Sequence, residues 1–123
     1  MPARKPAGDC AAAESSAKKA VLGRPAGPAG LIEYQKGAVV SRELLRKPGG
    51  TLTLFAFDQG QGLSEHTAPF DAAVLIVDGE AEVSIARKPR RVKAGQLILM
   101  PANKPHALQA VRPFKMLLIM IRG

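Results

Sequence analysis

From residue 31 onward the chain is a succession of short apolar runs cut by turn signals at near-regular spacing. Runs of about four to eight residues are too short for an amphipathic helix but suffice for a strand, and a series of them joined by tight turns predicts a β-sandwich or barrel. Strands are expected at residues 38–45, 51–57, 72–77, 80–86, 96–100, 106–111 and 114–121. Twelve glycines and ten prolines supply the breaks, among them Lys47-Pro48-Gly49-Gly50, Ala94-Gly95 and the stretch from Pro101 to Pro105. Asp78-Gly79 predicts a two-residue hairpin with positive φ at both central positions, joining two adjacent strands. Pro89 predicts the tip of a second hairpin.

The pattern within the runs tells which faces are covered. Residues 72–77 are apolar throughout, so that strand is central and dry on both sides. In residues 80–86, Ala81, Val83 and Ile85 face inward while Glu80, Glu82 and Ser84 face out. The last run places Phe114, Met116, Leu118 and Met120 on one face and Leu117, Ile119 and Ile121 on the other. A small barrel does not easily cover both, so a homodimer is expected to cover the outer one.

Residues 1–30 are rich in Ala, Pro, Gly, Lys and Ser and read as a flexible lead-in to a single domain at 31–123. Residues 11–22 hold enough alanine for transient helix but no apolar stripe to bury. The net charge of +8 is shared: the lead-in has five basic and two acidic residues, the domain thirteen and eight. A basic cluster at Arg87, Lys88, Arg90, Arg91 and Lys93 could attract phosphates. With 4% aromatic residues and no recognition helix it reads as a solvated loop, and nucleic acid is not an expected partner. Cys10 is the only cysteine, so no intrachain disulfide can form and a reducing, cytoplasmic setting is expected. No apolar run reaches the length needed to span a membrane or to serve as a secretory signal.

The two histidines sit in segments with fixed glycine and proline spacing: Gly60-x5-His66-x-Ala68-x3-Ala72-x6-Gly79 and Gly95-x5-Pro101-x-Asn103-x2-His106-x3-Ala110. Together these resemble the two motifs of the cupin superfamily over about residues 31–123. The nearest likeness is to small single-domain cupins without an assigned reaction. The resemblance implies an all-β double-stranded β-helix, or jelly roll, with a pocket between its sheets. It also implies a metal site of three histidines and one glutamate, of which this chain keeps His66 and His106. Ala68 and Ala72 stand where a histidine and the glutamate would be.

Such a depleted set would hold iron, manganese, nickel or zinc only weakly, with no tight cofactor expected. Strand alternation places Ser64 and Ala68 on the same side as His66 and turns Glu65 away. Asp71 could turn inward only if a bulge formed near Pro69 and Phe70. Ser64, His66 and His106 are therefore the expected ligand-binding residues, and the two histidines the candidate catalytic or metal-binding groups. The main expectation is a small polar molecule bound in the pocket with no reaction assigned. One alternative is a metal-dependent, oxygenase-like enzyme with an incomplete two-histidine site. The other is a metal-free isomerase or epimerase, for which the resemblance asks an acid partner such as a tyrosine; Tyr34 is the only tyrosine, and it precedes the first expected strand.

Overall fold

The alternating pattern is realised as nine antiparallel strands in a computed structural model that describes residues 22–122. Cys10 and the stretch at 11–21 lie outside the described residues. After a 3-10 turn at Pro28–Leu31 come β1 (Val39–Lys47), β2 (Gly50–Phe57), β3 (Gly62–His66), β4 (Asp71–Asp78) and β5 (Glu80–Ile85). β6 (Lys88–Lys93), β7 (Leu97–Met100), β8 (His106–Ala110) and β9 (Phe114–Ile121) complete the set. One sheet has the order β1-β2-β9-β4-β7 and the other β3-β8-β5-β6. From β2 to β9 every connection except the β5–β6 hairpin crosses between the two, which makes the fold a jelly roll.

The apolar faces meet between the sheets. Ala72, Val74 and Ile76 of β4, Ala81 and Val83 of β5, and Phe114 and Met116 of β9 are buried there, with the Phe57 and Phe114 rings stacked at 4.4 Å. Burial of these side chains supplies the main stabilisation, since each Val, Ile, Phe and Met among them contributes roughly 1.5–3 kcal/mol by leaving water. Their alternation locks the register, because a one-residue slip would turn the whole set outward.

A second cluster lies on the outer face of the five-stranded sheet. Ile32 packs there on Leu54 and Ala56, flanked by Leu31, Tyr34, Val40, Leu44 and Leu117. Lys115 secures this segment: its Nζ donates to the Ala29 carbonyl at 2.7 Å and lies 4.8 Å from the centre of the Tyr34 ring. Tyr34 in turn donates its hydroxyl to Asp78 Oδ2. Burial, with the neighbouring Asp78 carboxylate, pushes the Tyr34 pKa well above its ordinary range. Part of the outer surface of β9 is thus covered by the chain itself, while Ile121 remains 58% exposed.

Two expected turns are different in the structure. Asp78-Gly79 is a corner, not a hairpin, because β4 is already paired on both edges, with β9 and β7, and the chain must change sheets to find a partner for β5. Only Gly79 has positive φ, at 77°, and the Pro113 carbonyl passes so close that an added Cβ would lie 2.0 Å from its oxygen. The second hairpin turns at Ala86 and Arg87, with φ of 52° and 65°, the two positive values that a tight β-turn of this kind requires. Pro89 lies within β6 opposite Ser84, tolerated because β6 is an edge strand with no further neighbour to receive a donor. The substitution Gly79→Ala is expected to destabilise the fold by at least ~2 kcal/mol, read as a lowered midpoint in urea with an unchanged slope.

Candidate functional site

His66 ends β3 and His106 begins β8, and the two are register partners in the four-stranded sheet. Their rings meet edge to face, with centroids 4.4 Å apart and planes at 74°. The loops 67–70 and 101–105 cross between the sheets at this same end. They are tied together by Asn103 N donating to the Ala68 carbonyl at 2.8 Å, and Asn103 takes the left-handed conformation, φ 63°, for which asparagine is suited. Asp71 Oδ1 accepts from Ala102 N at 2.9 Å, so this carboxylate braces the loop and does not face the imidazoles.

The pairing of the two histidines depends on an irregularity that the sequence did not announce. Leu63 lies opposite Leu108, yet three residues later His66 lies opposite His106, so β3 carries one extra residue. A regular strand would have set Glu65 opposite His106. Instead Glu65 pairs with Arg87 at 3.4 Å, and His66 takes the inner place. The same bulge corrects the alternation argument for Ser64: Leu63 is the residue that packs on the core, and Ser64 is exposed. What Ser64 offers is its backbone carbonyl, 2.7 Å from His66 Nδ1.

His106 Nδ1 meets the Lys104 carbonyl in the same way, at 3.2 Å. A carbonyl oxygen can only accept, so Nδ1 is the donor in both contacts, and Nε2 is the ring nitrogen of each histidine left to face a ligand. Neither backbone acceptor leaves a trace in the sequence, because any residue supplies one. His66 is exposed and His106 is 5% exposed, so the pair has one wet ring and one dry one. Leu108, two residues on, fills the space beneath it with the core. The His106 pKa lies below its ordinary 6.5, first because of burial and then because of the neighbouring His66; the Lys104 carbonyl opposes the shift.

The metal set implied by the resemblance does not fit these residues. Ala68 and Ala72 end in methyl groups, and Ala72 faces the core in a row with Met100 and Met120. Among the described residues no three His, Cys, Asp or Glu side chains are grouped to hold an ion. Two imidazoles fall short of the four ligands a resident first-row metal takes. Tyr34, the only candidate acid partner, lies on the outer face of the other sheet with Asp78 and is not brought to the histidines.

The cupin domain family pattern matches residues 53–121. This chain belongs to the cupin family. A conserved Streptococcus pyogenes protein of unknown function is 36% identical, with 82% of this chain and 89% of that one aligned at a TM-score of 0.78. A Desulfitobacterium hafniense cupin superfamily protein is 31% identical, covering 82% and 93%, also at 0.78. A Leptotrichia buccalis cupin 2 conserved barrel domain protein is 42% identical at 0.74 over 76% of this chain, which spans only 46% of that protein. No curated protein matches the sequence. No helix among the described residues of this cupin is long and apolar enough to cross a membrane.

Because His106 binds its proton less readily when folded, protonation favours the unfolded chain. Its contribution to stability is fully present above pH 6.5 and is lost as pH falls from there through the folded pKa. Thermal midpoints measured from pH 8 to 5 are expected to fall over this window. The fall is expected to be shallower in His66→Gln, which removes the neighbouring charge; an identical profile in that variant would count against the coupling.

Proposed function

We propose that this cupin binds a small polar molecule at the His66–His106 mouth, with no resident metal. The observation that carries this reading is the pair of imidazoles, each oriented by a backbone carbonyl, with no third His, Cys, Asp or Glu grouped with them among the described residues. Fixed imidazoles of this kind can donate to or accept from a ligand according to their protonation state. Weak divalent metal, completed by water or by a ligand oxygen, is the limit of what two nitrogens support. The cytoplasm is the compartment we assign, from the lone Cys10.

An NMR screen of small polar molecules checks the reading. Compounds that shift the His66 and His106 imidazole signals are expected, and His66→Ala or His106→Ala should weaken them about tenfold, the size of one charge-assisted hydrogen bond. Hits that bind equally well to both variants would sink it. Elemental analysis of untagged protein is expected to give well under one metal ion per chain; one full equivalent that disappears in His66→Ala would favour the metal-dependent enzyme instead.

A second copy is proposed for the outer face of the five-stranded sheet. Leu99, Ala73, Ile119, Leu52 and Leu45 form a cross-strand apolar row over all five strands, away from the part covered by Ile32. Leu99 at its end is 66% exposed. Light scattering at micromolar concentration is expected to report a dimer that Leu99→Lys converts to monomer, and a monomeric wild type would remove the proposal.

A further inference from the structure

The basic cluster at residues 87–93 is not one surface, because the pleat of β6 divides it. Val92 is buried in the core opposite Ala81, so Arg90 and Lys88, two and four residues before it, point to the same inner side. Their cross-strand partners are Val83 and Ile85, which offer no charge. Arg91 and Lys93 point outward opposite Glu82 and Glu80, and Arg91 meets Glu80 at 3.2 Å. Arg91 is thus paired with a carboxylate and Lys93 lies opposite one, while among the described residues Lys88 and Arg90 form no ion pair.

The regular register of β8, β5 and β6 sets those two cations in line with the histidines. His66, His106, Ile85 and Lys88 form one row across the inner face of the four-stranded sheet, and Leu63, Leu108, Val83 and Arg90 form the next. Strands lie about 4.8 Å apart, so the His106 and Lys88 backbones are separated by roughly 10 Å across Ile85. Arg90 also lines a groove of about 440 Å³ where the edges of β6 and β7 part, and there Arg91, Val92 and Ile98 lie beside it. The carboxylates near this row are engaged elsewhere, Glu65 by Arg87 and Asp71 by the Ala102 amide.

We infer that the molecule taken at the His66–His106 mouth is a small organic dianion, one acid group on the Nε2 side of the imidazoles and the other on Lys88 and Arg90. This rests on the binding function proposed above and adds its chemical class. An acid group at the imidazoles favours their protonated form, in which both ring nitrogens donate, and the apolar Ile85 between the two poles suits a short hydrocarbon linker. Inward cations on an edge strand also discourage pairing with another sheet, so a test must separate ligand binding from that role.

Succinate and its uncharged diamide, succinamide, are the probes, titrated at pH 7 into protein stripped of metal with a chelator and followed by the His66 and His106 imidazole signals. Succinate is expected to shift both imidazoles and to bind more tightly than succinamide. Lys88→Gln and Arg90→Gln should each weaken succinate about 5- to 10-fold, and Lys93→Gln, on the outward side, less than about 2-fold. Equal weakening by Lys93→Gln would mean diffuse charge attraction and overturn the inference. Succinamide binding as tightly as succinate would also overturn it, while leaving the binding of a polar molecule intact. If succinate leaves the imidazoles unmoved, the dianion assignment fails; the broader function fails with it only when the screen of polar molecules is also empty at the pair.

Discussion

Period-two alternation between two facing sheets is the constraint from which the rest of this cupin follows. Each strand between β2 and β9 can bury one face only if its register holds, and the shared core of Phe57, Val74, Ile76, Val83, Phe114 and Met116 enforces that register on both sheets at once. Once β5, β6 and β8 are fixed by Ala81, Val83, Val92 and Leu108, the inner face of the four-stranded sheet is fixed too, out to its polar end. The histidines and the inward cations occupy that end because the core below them leaves the strands no other register.

The site departs from regularity at one place, and the departure is what makes it a site. The bulge between Leu63 and His66 exchanges Glu65 for His66 opposite His106. Without it, the nearly buried His106 imidazole would face a carboxylate. With it, two imidazoles meet, each oriented by a backbone carbonyl, and the carboxylate leaves for Arg87. Bulges concentrate at sheet edges and near binding sites for this reason: one extra residue re-aims a side chain without disturbing the ladder beyond it.

The outer face follows a different logic. Residues 28–34 are held over the five-stranded sheet by the Lys115 ammonium, which finds a carbonyl and an aromatic face where β9 would otherwise have left a nearly buried charge without partners. This accounts for a lysine in the middle of an apolar strand. It also moves Tyr34 away from the mouth, so the one phenol of the chain belongs to packing.

The cupin architecture was legible in the sequence because it rests on local signals: apolar runs of strand length, and glycines and prolines at motif spacing that the Gly60–Gly79 and Gly95–His106 segments retain. The run at 114–121 became β9 without change, and Ala81, Val83 and Ile85 faced inward as alternation demands. Loss of the ligand set was equally plain, since Ala68 and Ala72 have no donors. What sequence could not decide was anything dependent on a partner strand. Asp78-Gly79 reads as a hairpin until β9 and β7 are seen to occupy both edges of β4, and Pro89 reads as a tip until Ala86 and Arg87 are seen to take the positive φ values. The β3 bulge, the carbonyls of Ser64 and Lys104, and the division of the basic cluster by the pleat of β6 were likewise settled only in three dimensions. Local propensity is a property of a segment, whereas register and facing belong to pairs of segments distant in the chain and are fixed by the core they share.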